Sequence, residues 1–148
     1  MKAWYNMGGR GAYFQKGGFS VQEYEATGEF IQGAKVIRHK TDDHASLPQM
    51  SNTPGAVYIL KNSQGYKSIG IYGQDRRIRK EIHVNVVKNS HGHTNRFRDG
   101  HKVRLKRNIA HIHHWRGGRA NNVHYLTKKD IKKYGSLITQ LGGNLYDK

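Results

Sequence analysis

Hydrophobic and polar residues alternate most clearly in the middle of the chain, between positions 56 and 87. The apolar run 56–60 (AVYIL), the turn sequence 62–65 (NSQG) and the alternating run 66–72 (YKSIGIY) together predict a β-hairpin. A third strand is predicted over 77–87, with aliphatic side chains on its core face (Ile78, Ile82, Val84, Val86) and polar ones on the other (Arg77, Arg79, Glu81, His83, Asn85).

The patterns on either side of this segment are weaker. Sparse apolar positions between 19 and 36, interrupted by Gly28 and Gly33, predict one short helix. Residues 41–55 carry both prolines and are typical of a loop, as is the Gly- and charge-rich stretch 89–107. Residues 108–115 (NIAHIHHW) alternate again and predict a fourth strand, whose His111, His113 and Trp115 share one face.

The chain ends in a predicted helix. Thr127 is suited to cap it, Asp130 to complete a capping box, and Gly142 to end it, while Ile131, Tyr134, Ile138 and Leu141 form one apolar stripe. The order of elements predicts an α+β fold: a curved antiparallel β-meander of about four strands, with N-terminal and C-terminal helices packed on one face. Residues 1–18 are interpreted as a flexible Gly-rich lead-in and 19–148 as a single nucleic-acid-binding or nuclease-like domain.

The charge of the chain indicates its partner. The formal net charge is +16, and residues 76–134 hold 17 of the lysines and arginines, only three acids, and eight of the ten histidines. A polyanion, RNA or DNA, is therefore the predicted partner. The absence of cysteine excludes disulfides and thiolate metal sites. No apolar run reaches membrane-spanning length and no signal-peptide pattern opens the chain, so a soluble protein is expected, with no membrane partner, in the cytoplasm or associated with a virion.

The histidines suggest metal-independent chemistry on a phosphodiester. His111 and His113, about 6–7 Å apart on a strand, could share the proton transfers of RNA cleavage with His83, while Arg119 stabilises the charged transition state. The remaining basic and aromatic candidates are predicted to contact nucleic acid: Arg77, Arg79, Lys80, His93, Trp115, Arg116 and His124. No cofactor is predicted. The alternatives for the 111–114 cluster are metal ligation and plain decoration of a basic surface.

The run TPGAVYILKNSQGYKSIGIYGQDRRIRKEIHV, followed by AHIHHW and VHYLT, resembles phage- and prophage-encoded nuclease or toxin domains of the barnase, EndoU, colicin and RelE-like group. The resemblance covers about residues 51–127. It implies an α+β nuclease that acts on RNA without metal, with His111 and His113 in the cleft and His83 near a strand end, and an acidic immunity or antitoxin protein as a possible partner. The chain departs from that pattern at Glu81, His83 and Asn85, where such domains often carry Asp, and at Ala110, which replaces a proline.

The function predicted from the sequence is therefore a toxin-like, metal-independent endoribonuclease. One alternative is a metal-dependent DNA nuclease of the HNH type, because His113-His114, Asn121-Asn122 and a Lys-rich helix follow one another in that order. The final metal-binding histidine of that motif is missing, and Ile131 stands near its place. The other alternative is a non-catalytic, phage-associated protein that binds nucleic acid.

Overall fold

A large mixed β-sheet forms the body of the protein. The computed structural model describes residues 23–84, 93–96, 102–105 and 109–146, and for 93–96 and 102–105 it describes the backbone alone. Seven strands form this sheet: Tyr24–Ile31 (β1), Ala34–His39 (β2), Val57–Asn62 (β3), Gly65–Tyr72 (β4), Ile78–His83 (β5), His111–Arg116 (β8) and Arg119–Tyr125 (β9). Their spatial order follows their numbers, β1-β2-β3-β4-β5-β8-β9, and the two strands between β5 and β8 in the chain, His93–Arg96 (β6) and Lys102–Leu105 (β7), form a separate sheet.

The predicted N-terminal helix is wrong over the described residues, because 24–39 form the β1–β2 hairpin instead. Gln32 and Gly33 both have positive φ angles, 50° and 83°. Two successive positive φ angles are typical of the two-residue turn whose twist matches that of a β-hairpin. Gly28, at φ 90°, lies where the β1–β2 register shifts between Ala26 and Phe30. The two glycines that interrupt the apolar pattern therefore mark a turn and a bulge, and not a helix.

Strands β2 and β3 are parallel, whereas every other pair in the large sheet is antiparallel. A parallel pair requires a connection that crosses the sheet, and residues 40–56 provide it. Leu47 of this connection packs against the sheet, the Tyr24 hydroxyl donates to the Ser46 carbonyl (2.5 Å), and the Tyr72 hydroxyl donates to the Pro48 carbonyl (2.6 Å). We call the face covered in this way the loop face.

The hairpin predicted from 56–72 is confirmed as β3 and β4, and the third predicted strand as β5. The single aliphatic face predicted for that strand is wrong. The β4–β5 register shifts at Arg79, so Ile78 packs on the loop face while Ile82 and Val84 pack in the other core. Beyond the shift, regular alternation places Lys80 on the face opposite to Glu81 and His83.

Two hairpins lie in the second half of the chain. His93–Arg96 (β6) and Lys102–Leu105 (β7) pair as a separate two-stranded sheet within the segment predicted to be a loop. The predicted fourth strand is confirmed as β8, and β9 follows it after a two-residue turn at Gly117 and Gly118, whose φ angles are 59° and 79°. The sequence analysis missed β9.

The C-terminal helix is confirmed as α1, Lys128–Gln140, with the complete capping box between Thr127 and Asp130. Its apolar stripe packs on the face that we call the helix face, in a core of buried residues that includes Ile59, Ile69, Ile82, Ile112, Tyr134, Ile138 and Leu141. The prediction of an antiparallel meander of about four strands, with N-terminal and C-terminal helices packed on one face, is therefore wrong: one seven-stranded mixed sheet carries one described helix. The described part of the chain contains no helix long and apolar enough to cross a membrane.

Candidate nucleic-acid interface and histidine cluster

Three histidines meet on the loop face, and we call them the histidine trio: His83, His111 and His113. His83 and His111 are directly opposed on neighbouring strands, and His113 lies two residues further along β8 on the same face. The ring centroids are 4.6 Å apart for His83–His113 and 4.9 Å for each of the other two pairs. The Nε2 atoms of His111 and His113 are 3.1 Å apart. The sequence-predicted convergence of these three rings is thus present in the structure.

The trio is largely shielded from solvent. His111 is 0% exposed and His113 9% exposed, while the side chain of His83 is 28% exposed. A phosphodiester bound to a nucleic-acid chain could therefore reach His83 far more easily than the other two rings. The catalytic roles predicted for these histidines and for Arg119 stay predictions.

A buried carboxylate lies beside the trio. Glu81 Oε2 is 3.2 Å from His83 Nε2, and the Trp115 indole N–H donates to Glu81 Oε1 at 3.3 Å. Burial alone would raise the pKa of Glu81, but the hydrogen bond and charge of His83, with smaller contributions from His113 and Trp115, bring that pKa below its usual value. Glu81 is therefore ionised at neutral pH, and its negative charge makes the trio more favourable to a cation than to a phosphate.

A second cluster lies on the other side of the same strands. Lys80 is opposite His114 across the β5–β8 pair, and both project to the helix face, where Lys80 Nζ lies 5.6 Å from the centre of the Tyr134 ring. A groove of about 740 Å³ opens beside these two residues and extends to Trp115, which packs with the loop-face core. We call it the basic groove, and its lining residues are Arg79, Lys80, His114, Trp115, Arg116 and Asn122.

His114 is in direct contact with a histidine from β9. The Nε2 atoms of His114 and His124 are 2.9 Å apart and the rings stack with centroids 4.9 Å apart. Nδ1 of His124 lies 2.5 Å from the Tyr125 carbonyl oxygen, which can only accept, so this nitrogen carries a proton. Burial, followed by the charges of His124 and Lys80, lowers the pKa of His114 below the ordinary histidine value. The two imidazoles thus form a proton-sharing pair.

The cations of the groove differ in how strongly they are paired. Arg79 Nη2 is 2.6 Å from Asp75 Oδ2, so part of its charge is already neutralised. Arg116 precedes the Gly117–Gly118 turn and is exposed. Among the described residues, no carboxylate within salt-bridge distance of Lys80 or Arg116 is found. These two side chains therefore carry most of the available positive charge in the groove.

The structure sorts the predicted nucleic-acid-binding residues, together with Arg119 of the predicted catalytic set, into three groups. Arg79, Lys80, Trp115 and Arg116 line one groove, and His124 touches it through His114. Arg77 is exposed but does not line the groove, and Arg119 follows the β8–β9 turn. The side chain of His93 and the predicted lead-in 1–18 lie outside the described residues. Their predicted roles are therefore not addressed by the geometry.

Two residues of the groove, His114 and Asn122, were absent from the predicted site and were named from the sequence only under the alternatives. The alternation of β8 already placed His114 on the face opposite to His111 and His113, but its partner could not be found without β9. The Gly-Gly pair at 117–118 was the available signal, because such a pair is typical of a two-residue hairpin.

No protein-family model matches this sequence, and neither the curated proteins nor the solved structures include a match to it. The resemblance to the barnase, EndoU, colicin and RelE-like group therefore stays a prediction. Function has to be inferred from the two clusters themselves.

Proposed function

We propose that this protein binds RNA in the basic groove and cleaves it without a metal ion, with His114 and His124 as the groups that exchange protons. One observation carries the proposal: two imidazoles in direct contact lie at a groove lined by Arg79, Lys80 and Arg116. Histidine pairs and cations are the groups that RNA transphosphorylation requires.

The chemistry follows from the groups present. A phosphodiester that enters the groove replaces the direct contact between the two rings. One imidazole takes the proton of the ribose 2′-OH as the 2′-oxygen forms its bond to phosphorus, and the other gives a proton to the 5′-oxygen as the bond from phosphorus to that oxygen breaks. Lys80 and Arg116 stabilise the charge that develops on the phosphoryl oxygens. The products are a 2′,3′-cyclic phosphate and a 5′-hydroxyl.

The groove is a better phosphate site than the histidine trio for two reasons. His114 and His124 are half-buried, whereas His111 is fully buried. The trio also lies beside the buried Glu81 carboxylate, which repels a phosphate, whereas Lys80 faces His114 in the groove, and the charge of Lys80 acts on His114 more strongly than that of the nearby Asp130. The acid and base roles that the sequence analysis gave to His111 and His113 are therefore proposed for His114 and His124.

The HNH alternative is less well supported by the geometry. The order strand, strand, helix is present in β8, β9 and α1, but Ile131 of α1 packs against the core and offers no ligand. His113 and His114, which that motif would use together, project to opposite faces of the sheet. A non-catalytic RNA-binding function would use the same groove, so only an assay of RNA cleavage distinguishes it from the proposed enzyme. The acidic immunity or antitoxin partner stays a prediction.

The experiment is cleavage of end-labelled single-stranded RNA by the full chain, with EDTA present and below the unfolding temperature. We expect RNA to be cut to cyclic-phosphate ends and an RNA with 2′-O-methyl groups to be resistant. His114→Gln and His124→Gln should each slow cleavage by about 10²–10⁴-fold, because each removes one proton-transfer group. His44→Gln removes an exposed histidine outside the groove and serves as the matched control.

Three outcomes would reject the proposal. If wild-type protein retains RNA but never cuts it, the protein is a binder. If it cuts duplex DNA only when Mg²⁺ is added, the HNH alternative is correct. If cleavage is unchanged in both groove variants and lost in His83→Gln, the chemistry belongs to the histidine trio.

A further inference from the structure

We propose that the histidine trio is a binding site for one divalent transition-metal ion of the Zn²⁺ type, on the face of the sheet opposite to the His114–His124 pair. One ring nitrogen from each of His83, His111 and His113 lies within 4.8 Å of the other two. Imidazole is a preferred ligand of Zn²⁺, and three histidines with a water molecule or substrate as the fourth ligand form an established coordination pattern.

The spacing of the ring nitrogens suits an ion. Zn–N bonds of about 2.0–2.1 Å in a tetrahedron place ligand nitrogens roughly 3.4 Å apart. His111 Nε2 and His113 Nε2 are already 3.1 Å apart, and the third ring is close enough to join them by small rotations about its side-chain bonds. The trio therefore needs little rearrangement to become a ligand set.

The residues around the trio match the outer shell of a metal site. Glu81 Oε2 lies 3.2 Å from His83 Nε2, so this nitrogen is placed to donate its proton to the carboxylate, and Nδ1 is the His83 nitrogen that remains to bind an ion. A histidine ligand that is oriented by a carboxylate in this way is a recurring feature of zinc sites. The Trp115 N–H at 3.3 Å holds the other oxygen of Glu81, which fixes the orientation of the carboxylate.

The scaffold beneath the trio is rigid. Ile82 precedes His83 in β5, and Ile112 lies between His111 and His113 in β8. These two isoleucines are directly opposed and are both 0% exposed in the core under the helix. The register of two central strands, and not a loop, therefore fixes where the three rings meet. A bound ion would join β5 to β8 and stabilise the same two strands that carry Lys80 and His114 on their other face.

The test is a titration of the full chain, stripped of metal, with Zn²⁺ by calorimetry and with Co²⁺ by visible absorption. We expect one ion per chain, with the absorption of Co²⁺ bound by nitrogen ligands in a tetrahedral site. Free Zn²⁺ at 100 times its Kd should raise Tm by roughly 5–10 °C. In His83→Gln, whose side chain is partly exposed, binding should weaken at least tenfold and the Tm shift should be lost.

The double variant His114→Gln/His124→Gln is the matched control, because it removes the other close histidine pair and leaves the trio intact. It should bind Zn²⁺ as the wild type does. The proposal is overturned if no saturable binding occurs, or if His83→Gln binds normally while the control does not. Should His83→Gln fail to fold, NMR of the wild type with Co²⁺ decides: three imidazole N–H signals shifted by the ion support the site, and unshifted trio signals reject it. RNA cleavage is read separately, so either proposal can fail alone.

Discussion

Removing the two least-paired cations of the basic groove should change how RNA binding depends on salt. Lys80 faces His114 and Arg116 is exposed beside the β8–β9 turn, so each is placed to neutralise one phosphate. Each phosphate contact on a single strand contributes about 0.7 to the slope of log K against log salt, so Lys80→Gln/Arg116→Gln should reduce that slope by about 1.4. Between about 50 and about 200 mM salt, the wild type should lose roughly sevenfold more affinity than the variant.

Fluorescence anisotropy with an RNA that carries 2′-O-methyl groups measures this slope without cleavage. The matched control is Arg38→Gln/Lys61→Gln, which lowers the net charge equally but acts on two side chains that are paired with glutamates. Its slope should equal that of the wild type. If the control reduces the slope as much as the groove variant does, binding follows net charge alone and the basic groove has no special role.

Three further predictions concern stability. Thr127→Ala removes the cap of α1 and should lower the free energy of unfolding by about 1 kcal/mol, seen as a fall in Tm of roughly 2–4 °C. Gly143→Ala should cost about 1–3 kcal/mol by chemical denaturation, because the new Cβ would lie 2.7 Å from the Ile138 side chain; unchanged stability would show that α1 can shift. Burial lowers the pKa of Lys35 to about 8, so above that pH the unfolded chain binds more protons than the folded one. The free energy of unfolding of the wild type, relative to that of Lys35→Met, should therefore rise between about pH 8 and 10. A difference that is constant with pH would contradict this.

The parts of the fold that follow from local sequence were predictable, and the parts that depend on distant pairing were not. The capping box at Thr127 and the alternation around Tyr58 and Ile69 act within a few residues, so α1, β3 and β4 were predicted correctly. The parallel pairing of β2 with β3 depends on how residues 40–56 cross the sheet, and no local pattern records that crossing. The β1–β2 hairpin was missed because its turn uses Gln32 with Gly33 in place of a more familiar Asn-Gly pair.

The sheet face on which each histidine of β8 lies was predictable, but the burial of these histidines and their contacts were not. Alternation along β8 correctly placed His111 and His113 on one face and His114 on the other. Which face is buried depends on tertiary packing, so the sequence could not show that His111 is inaccessible. The partner of His114 could not be found either, because His124 lies on a strand whose sequence, RANNVHY, has little apolar alternation.

The proposed contact of RNA is with the His114–His124 pair and not with the histidine trio. Its most direct test is imidazole NMR of the full chain during titration with an RNA that carries 2′-O-methyl groups, with signals assigned from His→Gln variants. We expect the signals of His114 and His124 to shift and saturate with bound RNA, while those of His111 and His113 stay in place. Saturable shifts of the trio with an unperturbed His114–His124 pair would contradict it.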